Sequence, residues 1–183
     1  MYGSYYGKLP DRWSIIPIEK LFSVVGGGTP SISVSEYWGE GIPWFSSADI
    51  DEGGNITPRR CVTPTGIEHS TTNLVPSGSV VVVTRVGLGK VAVLNTVMCF
   101  SQDIQALIPI YPEVINSRFL FYFLLHEMQT LKLSGRGTTI SGITKKQLAD
   151  VNLWLPPIAE QRRIVAALEA TYAQFDEIAE NLS

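Results

Sequence analysis

The chain ends in the clearest hydrophobic pattern of the sequence. Beyond Pro156 and Pro157, alternating steps of three and four residues, with Gln161 filling one position, define a heptad seam on one face of a helix. Pro157 and Glu160 suit a first helical turn, which needs no N–H from proline and favours an acid. We therefore predict a helix of roughly 39 Å whose apolar face needs a partner. The seam consists of Ile158, Val165, Leu168, Tyr172, Phe175, Ala179 and Leu182.

The residues before the prolines carry shorter hydrophobic runs that predict strands. The run at 79–85 is β-branched through its centre, which predicts a strand buried on both faces. Gly87 and Gly89 separate it from the run at 90–95, as expected for a hairpin. Strands are predicted at 13–16, 42–45, 59–63, 79–85, 90–95, 99–108 and 151–155.

Helical patterns are interspersed with these strands. The longest, at 118–133, is apolar around most of its circumference and predicts a deeply packed helix capped by Asn116 or Ser117. Thr144 and Gln147 have the spacing of a capping box. Shorter helices are predicted at 18–25 and 65–70. The mixture favours an α+β fold: a mixed, twisted β-sheet with packed helices over residues 1–156, then a long coiled-coil helix over 157–183.

Composition and charge narrow the class of protein. With 183 residues, 45% hydrophobic and 17% charged, the chain is typical of one globular domain with an appendage. Its longest apolar run, 119–125, is too short to span a membrane, and we see no signal peptide, so we expect a cytoplasmic protein without a membrane partner. Cys61 and Cys99 are too few for a disulfide scaffold.

The net charge argues against nucleic-acid binding over the whole surface of the protein but allows binding through a limited face. The net charge is −3 and resides in the C-terminal helix, because residues 1–157 carry twelve acids and twelve bases. A neutral domain with basic loops can bind DNA through a limited face. Ordinary solvated surface charge explains the same loops equally well.

No catalytic, metal or cofactor motif stands out. His69 and His126 have no metal-ligand spacing around them, and the glycine-rich segments at 26–28 and 87–89 lack the phosphate-loop and dinucleotide patterns. We therefore predict no catalytic residues, no metal and no cofactor. A hydrolase built on acids such as Asp49 and Asp51 stays open as an alternative.

Polar and basic loops remain as candidate DNA contacts. Arginine and lysine suit phosphate or guanine, glutamine suits adenine, and serine or threonine suit either. Each loop is weak evidence alone, since glycine usually marks a turn and Thr138-Thr139 can bond their own backbone. The candidates are Ser46, Ser47, Arg85, Lys90, Gln102, Arg136, Thr138, Thr139 and Lys145.

An ordered series of short motifs runs through residues 9–178. The motifs are Trp13 and residues 27–31, 37–39, 42–50, 85–92, 134–139 and 155–165. This series resembles the specificity subunits of type I restriction–modification systems. The resemblance implies a target recognition domain at 1–156 and a spacer helix at 157–183. It also implies that the recognition domain reads half of a bipartite site in double-stranded DNA and that the chain catalyses no reaction. It implies methyltransferase and restriction–translocase partners that carry S-adenosylmethionine, ATP and Mg²⁺.

The chain departs from the family pattern because it has one recognition domain and one helix where such subunits have two of each. It is either a half-subunit that forms a homodimer through the heptad seam, or a fragment of a longer chain. Motifs shared by proteins that read different sequences favour scaffold roles, so Arg85 and Lys90 could hold phosphates or the fold. The base readers could lie at 55–72 or 103–106. An adaptor that uses only the helix is the alternative function.

Overall fold

The structure, a computed structural model, describes residues 9–134 and 142–181. Nine strands and five α-helices occupy these ranges. The strands are β1 (Ser14–Pro17), β2 (Phe22–Gly26), β3 (Trp38–Phe45), β4 (Arg60–Val62), β5 (Val80–Val83), β6 (Val91–Val93), β7 (Cys99–Phe100), β8 (Ile104–Pro109) and β9 (Asn152–Leu155). The helices are α1 (Ile18–Leu21), α2 (Pro64–Glu68), α3 (Ser117–Ser134), α4 (Lys145–Ala149) and α5 (Ile158–Asn181).

The strands form three sheets. β2, β8, β5 and β6 build a four-stranded sheet in that order, with every neighbouring pair antiparallel. β4, β3 and β7 build a second sheet in which β3 and β7 run parallel. β1 pairs with β9 in register from Ser14 opposite Leu155 to Pro17 opposite Asn152. This last pair ties the beginning of the described chain to the segment that leads into α5.

The β5 strand separates two hydrophobic cores. Val80 and Val82 point into one cluster, which contains the apolar face of α3 and reaches Val165 of α5. Val81 and Val83 point into the other, which contains Phe45 and Phe100 of the second sheet. All four valines of β5 are at most 1% exposed, so the predicted burial on both faces is confirmed. The mixed α+β class is confirmed as well.

The predicted helix at 18–25 is wrong in its second half. Only Ile18–Leu21 is helical, and Phe22–Gly26 forms strand β2 along β8. Ile18, Leu21 and Phe22 fit a helical spacing, but the stretch from Phe22 also alternates buried and exposed side chains. Pairing with β8 and the β-branched Val24-Val25 decide in favour of the strand, which local periodicity cannot show.

The predicted strand at 99–108 is in fact two strands. β7 pairs with β3, and β8 lies in the other sheet between β2 and β5. Ser101, Gln102 and Asp103 form the turn between them, closed by a hydrogen bond from Ile104 N to Ser101 O of 3.1 Å. The polar tripeptide therefore marks the point where the chain changes sheets.

Candidate nucleic-acid interface

Four loops meet at one edge of the molecule. β2 and β5 point the same way because both are antiparallel to β8, and β3 and β7 are parallel to each other. The loops that follow these strands are joined by backbone hydrogen bonds, from Ser101 N to Phe45 O (3.0 Å), Gly28 N to Phe100 O (2.8 Å) and Thr84 N to Asp103 O (2.8 Å). We call loops 27–30, 46–50, 84–90 and 101–103 the loop edge.

The glycine-rich segment at 26–28 has a packing role at this edge. A β-carbon on Gly27 would collide with the carbonyl oxygen of Ser101 and with the ring of Phe100. The absence of a side chain lets loop 27–30 lie directly on the end of β7.

Ser46 is occupied by its own loop. Its N–H and its hydroxyl both donate to Asp49 Oδ2 at 2.8 Å, which caps the short 3₁₀ turn at Ser47–Asp49. The other oxygen of Asp49 lies 2.9 Å from Arg59 Nε. Ser47 is half-buried and lies against Gly87 of loop 84–90. Ser46 therefore stabilises the conformation of loop 46–50, whereas Ser47 contacts loop 84–90.

Lys90 holds the loop edge together. Its ammonium donates to Ile50 O at 2.5 Å and to Ser47 O at 3.5 Å, which links loop 84–90 to loop 46–50. Of the two roles left open for Lys90, the contacts favour support of the fold over a free phosphate contact. Both acceptors are backbone carbonyls, so their positions do not depend on a second side chain.

Arg85 and Gln102 are the candidates that the loop edge presents outward. The Arg85 side chain is 64% exposed, and its only ion pair within the described residues is a loose one of 3.8 Å to Asp103. Gln102 is exposed, and Thr29 donates a 2.6 Å hydrogen bond to Gln102 Oε1. That bond orients the side chain and leaves the amide nitrogen able to donate. Thr29 is a positioning residue that the sequence did not reveal.

The remaining candidates lie beside this edge or outside the described residues. Lys145 begins α4 with an exposed side chain, two residues beyond Ile143, whose N–H donates to Thr84 O at 2.7 Å. Arg136, Thr138, Thr139 and Leu182 fall outside the described residues. Two arginines that do not belong to the predicted set, Arg59 and Arg60, lie next to the loop edge.

The C-terminal helix uses its heptad seam in two ways. Its inner segment, residues 158–172, packs on its own domain: Val165 is 7% exposed, and Ile158 and Leu168 are half-buried. Tyr172 stacks on Tyr122 of α3 with ring centroids 5.9 Å apart. Val165 thus has little surface left for a second helix, because the domain core already covers it.

A buried glutamine fixes the inner segment. Gln161 is fully buried; its Oε1 accepts from Asn116 N (2.8 Å), and its Nε2 donates to Val114 O (2.8 Å) and Pro156 O (2.9 Å). The residue that interrupts the apolar seam is therefore a polar clamp on the start of α3. The sequence signal was present, since a polar residue at a seam position needs buried partners.

The outer segment, residues 173–181, leaves its large apolar side chains exposed to solvent. Phe175 is 62% exposed and Ile178 is 55% exposed. An ion pair of 3.0 Å between Arg118 and Glu169 and the stacked tyrosines lie just before it. The outer segment therefore carries the predicted pairing surface that its own domain leaves uncovered.

The acids proposed for an alternative hydrolase have structural partners. Hydrogen bonds from Asn55 hold the pKa of the Asp51 carboxyl below its usual range, and Asp49 is engaged by Ser46 and Arg59. Across residues 9–134 and 142–181, no three metal-binding side chains gather at one point. In the same ranges, no helix combines the length and the apolar content needed to cross a bilayer.

Comparison with known proteins identifies the family. Residues 10–183 match the model of the type I restriction modification DNA specificity domain, and the chain belongs to this family. It is similar to the specificity subunit of the type I restriction enzyme MjaIX of Methanocaldococcus jannaschii, with 27% identity over 96% of this chain and 40% of that protein. The specificity subunit of EcoR124I/EcoR124II from Escherichia coli is 30% identical over 86% of this chain and 40% of that protein.

Solved structures agree with this assignment. The HsdS subunit from Thermoanaerobacter tengcongensis superposes with a TM-score of 0.76 at 26% identity, over 97% of this chain and 41% of that one. A chain from a study of assembly and conformational transition of the type I restriction–modification system gives a TM-score of 0.78 at 28% identity, over 96% of this chain and 42% of that one. The chain thus spans about two fifths of the length of each of these four relatives.

Proposed function

We propose that this chain is a non-catalytic DNA sequence-recognition unit that reads one half of a bipartite site in double-stranded DNA. The observation that carries the proposal is the loop edge, where four loops converge and direct Arg85 and Gln102 outward. An exposed guanidinium suits phosphate or guanine, and an oriented amide suits adenine. Membership of a DNA specificity family supports the same function.

The chemistry would then lie on other subunits. Methyltransferase subunits would bring S-adenosylmethionine, and restriction–translocase subunits would bring ATP and Mg²⁺, all acting on DNA in the cytoplasm. One structural relative comes from a study of complex assembly in a type I system, which supports assembly for this chain as well. The recognition unit would position the complex on the DNA and set the distance to a second recognition unit.

The outer segment of α5 is the proposed pairing surface. Phe175 and Ile178 form an apolar face that a second, antiparallel helix would cover. The second helix belongs either to another copy of the chain, in a homodimer that reads a symmetric site, or to the same chain if this is a piece of a longer one. Light scattering of wild type and of Phe175→Asp distinguishes the two: a dimer that the substitution dissociates supports the homodimer.

Binding to duplex DNA in the presence of the cognate methyltransferase tests DNA reading. We expect sequence-selective, salt-sensitive binding, weakened by at least about tenfold in Arg85→Glu because that change replaces an attractive contact by repulsion. Gln102→Ala should weaken discrimination at one base pair by about 1–3 kcal/mol. Lys20→Glu is the matched control, because Lys20 lies before β2, at the strand end opposite the loop edge, and is exposed.

The alternative function is a protein–protein adaptor that uses the helix alone. The exposed outer segment favours it, since pairing requires no DNA contact. If Arg85→Glu and Gln102→Ala bind and assemble like Lys20→Glu, the adaptor is the better description. If wild type binds no duplex even with the methyltransferase, DNA reading is wrong.

A further inference from the structure

A basic cleft lies beside the loop edge. It has a volume of about 680 Å³ and lies between the beginning of β3 and the segment that enters β4. Arg59 and Arg60 line it, and no carboxylate does so among the described residues. The other principal lining residues are Ile32, Ser35, Trp38 and Pro58.

Arg60 is held in place by an aromatic platform. Its guanidinium carbon lies 5.4 Å from the centroid of the Trp38 ring, a cation–π contact. Trp38 meets Trp44 edge to face at 5.3 Å, and its indole N–H donates to Ser31 O at 3.2 Å. Trp44 in turn donates to Gly28 O at 3.0 Å. The platform is therefore fixed to loop 27–30 of the loop edge.

Arg60 keeps its charge available. Within residues 9–134 and 142–181 it forms no ion pair, whereas Arg118 and Arg163 each pair closely with a carboxylate. Contact with an aromatic face leaves the N–H groups at the edge of the guanidinium plane free to donate. A cation fixed in this way loses little side-chain entropy when it meets an anion.

Arg59 connects the cleft to the loop edge. Its Nε lies 2.9 Å from Asp49 Oδ1, while 75% of its side chain remains exposed. The Asp49 side chain is 7% exposed and accepts hydrogen bonds from Ser46, so the arginine is anchored to a carboxylate that its own loop holds in place. Because the guanidinium has five N–H donors and most of the side chain is exposed, Arg59 can meet a second acceptor.

We propose that this cleft binds the sugar–phosphate backbone of the DNA duplex next to the bases that face the loop edge. The inference rests on the proposed function and deepens it by assigning Arg59 and Arg60 to sequence-independent contacts. A concave, basic surface fits the convex, charged backbone ridge, whereas base edges at the floor of a groove are reached by protruding elements. The cleft fixes the register in which Arg85 and Gln102 meet the bases.

Salt dependence of DNA binding in the complex with the methyltransferase is the first test. Arg60→Ala should weaken binding to cognate and non-cognate duplexes by the same factor, about three- to tenfold, and lower the slope of log K against log salt by about 1. Arg60→Lys should retain that slope. The matched control is Arg118→Ala, another arginine held over aromatic rings, 4.7 Å from the centroid of Phe121.

A thiol footprint is the second test and needs no arginine variant. Cys61 lines the cleft and is partly exposed, while Cys99 is fully buried, with burial raising the pKa of its thiol to about 11. A small thiol reagent should therefore modify Cys61 and leave Cys99 unmodified. Adding duplex to the preformed complex should slow the modification of Cys61, measured on its peptide by mass spectrometry.

The outcomes separate this inference from the proposed function. If the wild-type complex binds no duplex, the proposed function fails. If it binds selectively while Arg60→Ala behaves like Arg118→Ala and Cys61 stays equally reactive, only the cleft assignment is overturned. A sequence-dependent loss in Arg60→Ala would also overturn it, because that result makes Arg60 a base reader.

Discussion

The inner and outer segments of α5 carry one heptad pattern but have different surroundings. In the inner segment Val165 is 7% exposed and Gln161 is fully buried, whereas Phe175 in the outer segment is 62% exposed. The pattern determines which side chains share a face of the helix. It does not determine what covers that face, because in the inner segment the cover comes from residues distant in sequence such as Asn116, whereas in the outer segment the domain leaves Phe175 exposed.

The largest expected effect is the loss of the glutamine clamp. Gln161→Ala leaves Asn116 N–H and the carbonyls of Val114 and Pro156 without their partners and opens a small cavity. We expect a loss of about 3 kcal/mol in the free energy of unfolding. The corresponding fall in Tm is roughly 6–12 °C for a domain of this size. Thermal and urea denaturation measure both.

The same substitution in the outer segment is the control. Gln174 is exposed, so Gln174→Ala should change stability by no more than about 0.5 kcal/mol. Equal effects of the two substitutions would contradict the division of the helix into two segments. A large effect of Gln174→Ala alone would mean that the outer segment is covered in solution.

A medium effect is expected from a pair of apolar truncations. Val165→Ala removes two methyl groups from the core and should cost about 2 kcal/mol, independent of protein concentration. Phe175→Ala should cost no more than about 0.5 kcal/mol in the monomer. If the chain pairs with a second copy, the cost of Phe175→Ala appears only at high concentration, which denaturation over a range of concentrations detects.

Local features of the fold could be predicted from the sequence. The capping box of α4 forms as expected, with Gln147 N donating to Thr144 Oγ1 at 3.2 Å, and Asn116 caps α3 by accepting from Phe119 N at 3.0 Å. Such contacts join residues three apart and depend only on local geometry. The burial of β5 on both faces could also be predicted, because four consecutive valines place apolar side chains on both faces of the strand.

Contacts between distant segments could not be predicted in this way. The two carbonyls that hold the Lys90 ammonium lie 40 and 43 residues away in sequence, and Arg60 is stacked on Trp38, in a different strand. The sequence therefore places Lys90 among the candidates for DNA contact and does not single out Arg60. The sequence does not reveal whether the charged group of a basic residue donates to backbone carbonyls or faces solvent.

The smallest expected effect concerns the groove that the inner segment borders. This groove of about 300 Å³ is mostly apolar, with Phe119, Trp154 and Leu168 in its walls, and Glu127 lies in it beside His126. Burial raises the pKa of Glu127, and the neighbouring His126 opposes that shift. The folded state therefore holds a proton at a pH where the unfolded chain has released it, and stability falls as pH rises through this window.

Glu127→Gln removes that dependence. We expect a small rise in Tm at neutral pH that disappears below the ordinary glutamate pKa of about 4.3, where both states carry the proton. Glu177→Gln, an exposed change of equal charge in the outer segment, should show no such rise. A partner helix that also covered the groove would remove more water from Glu127 and enlarge the pH effect. Comparing the Tm difference in the free chain and in the assembled complex therefore tells whether the groove of the inner segment stays open when the outer segment is paired.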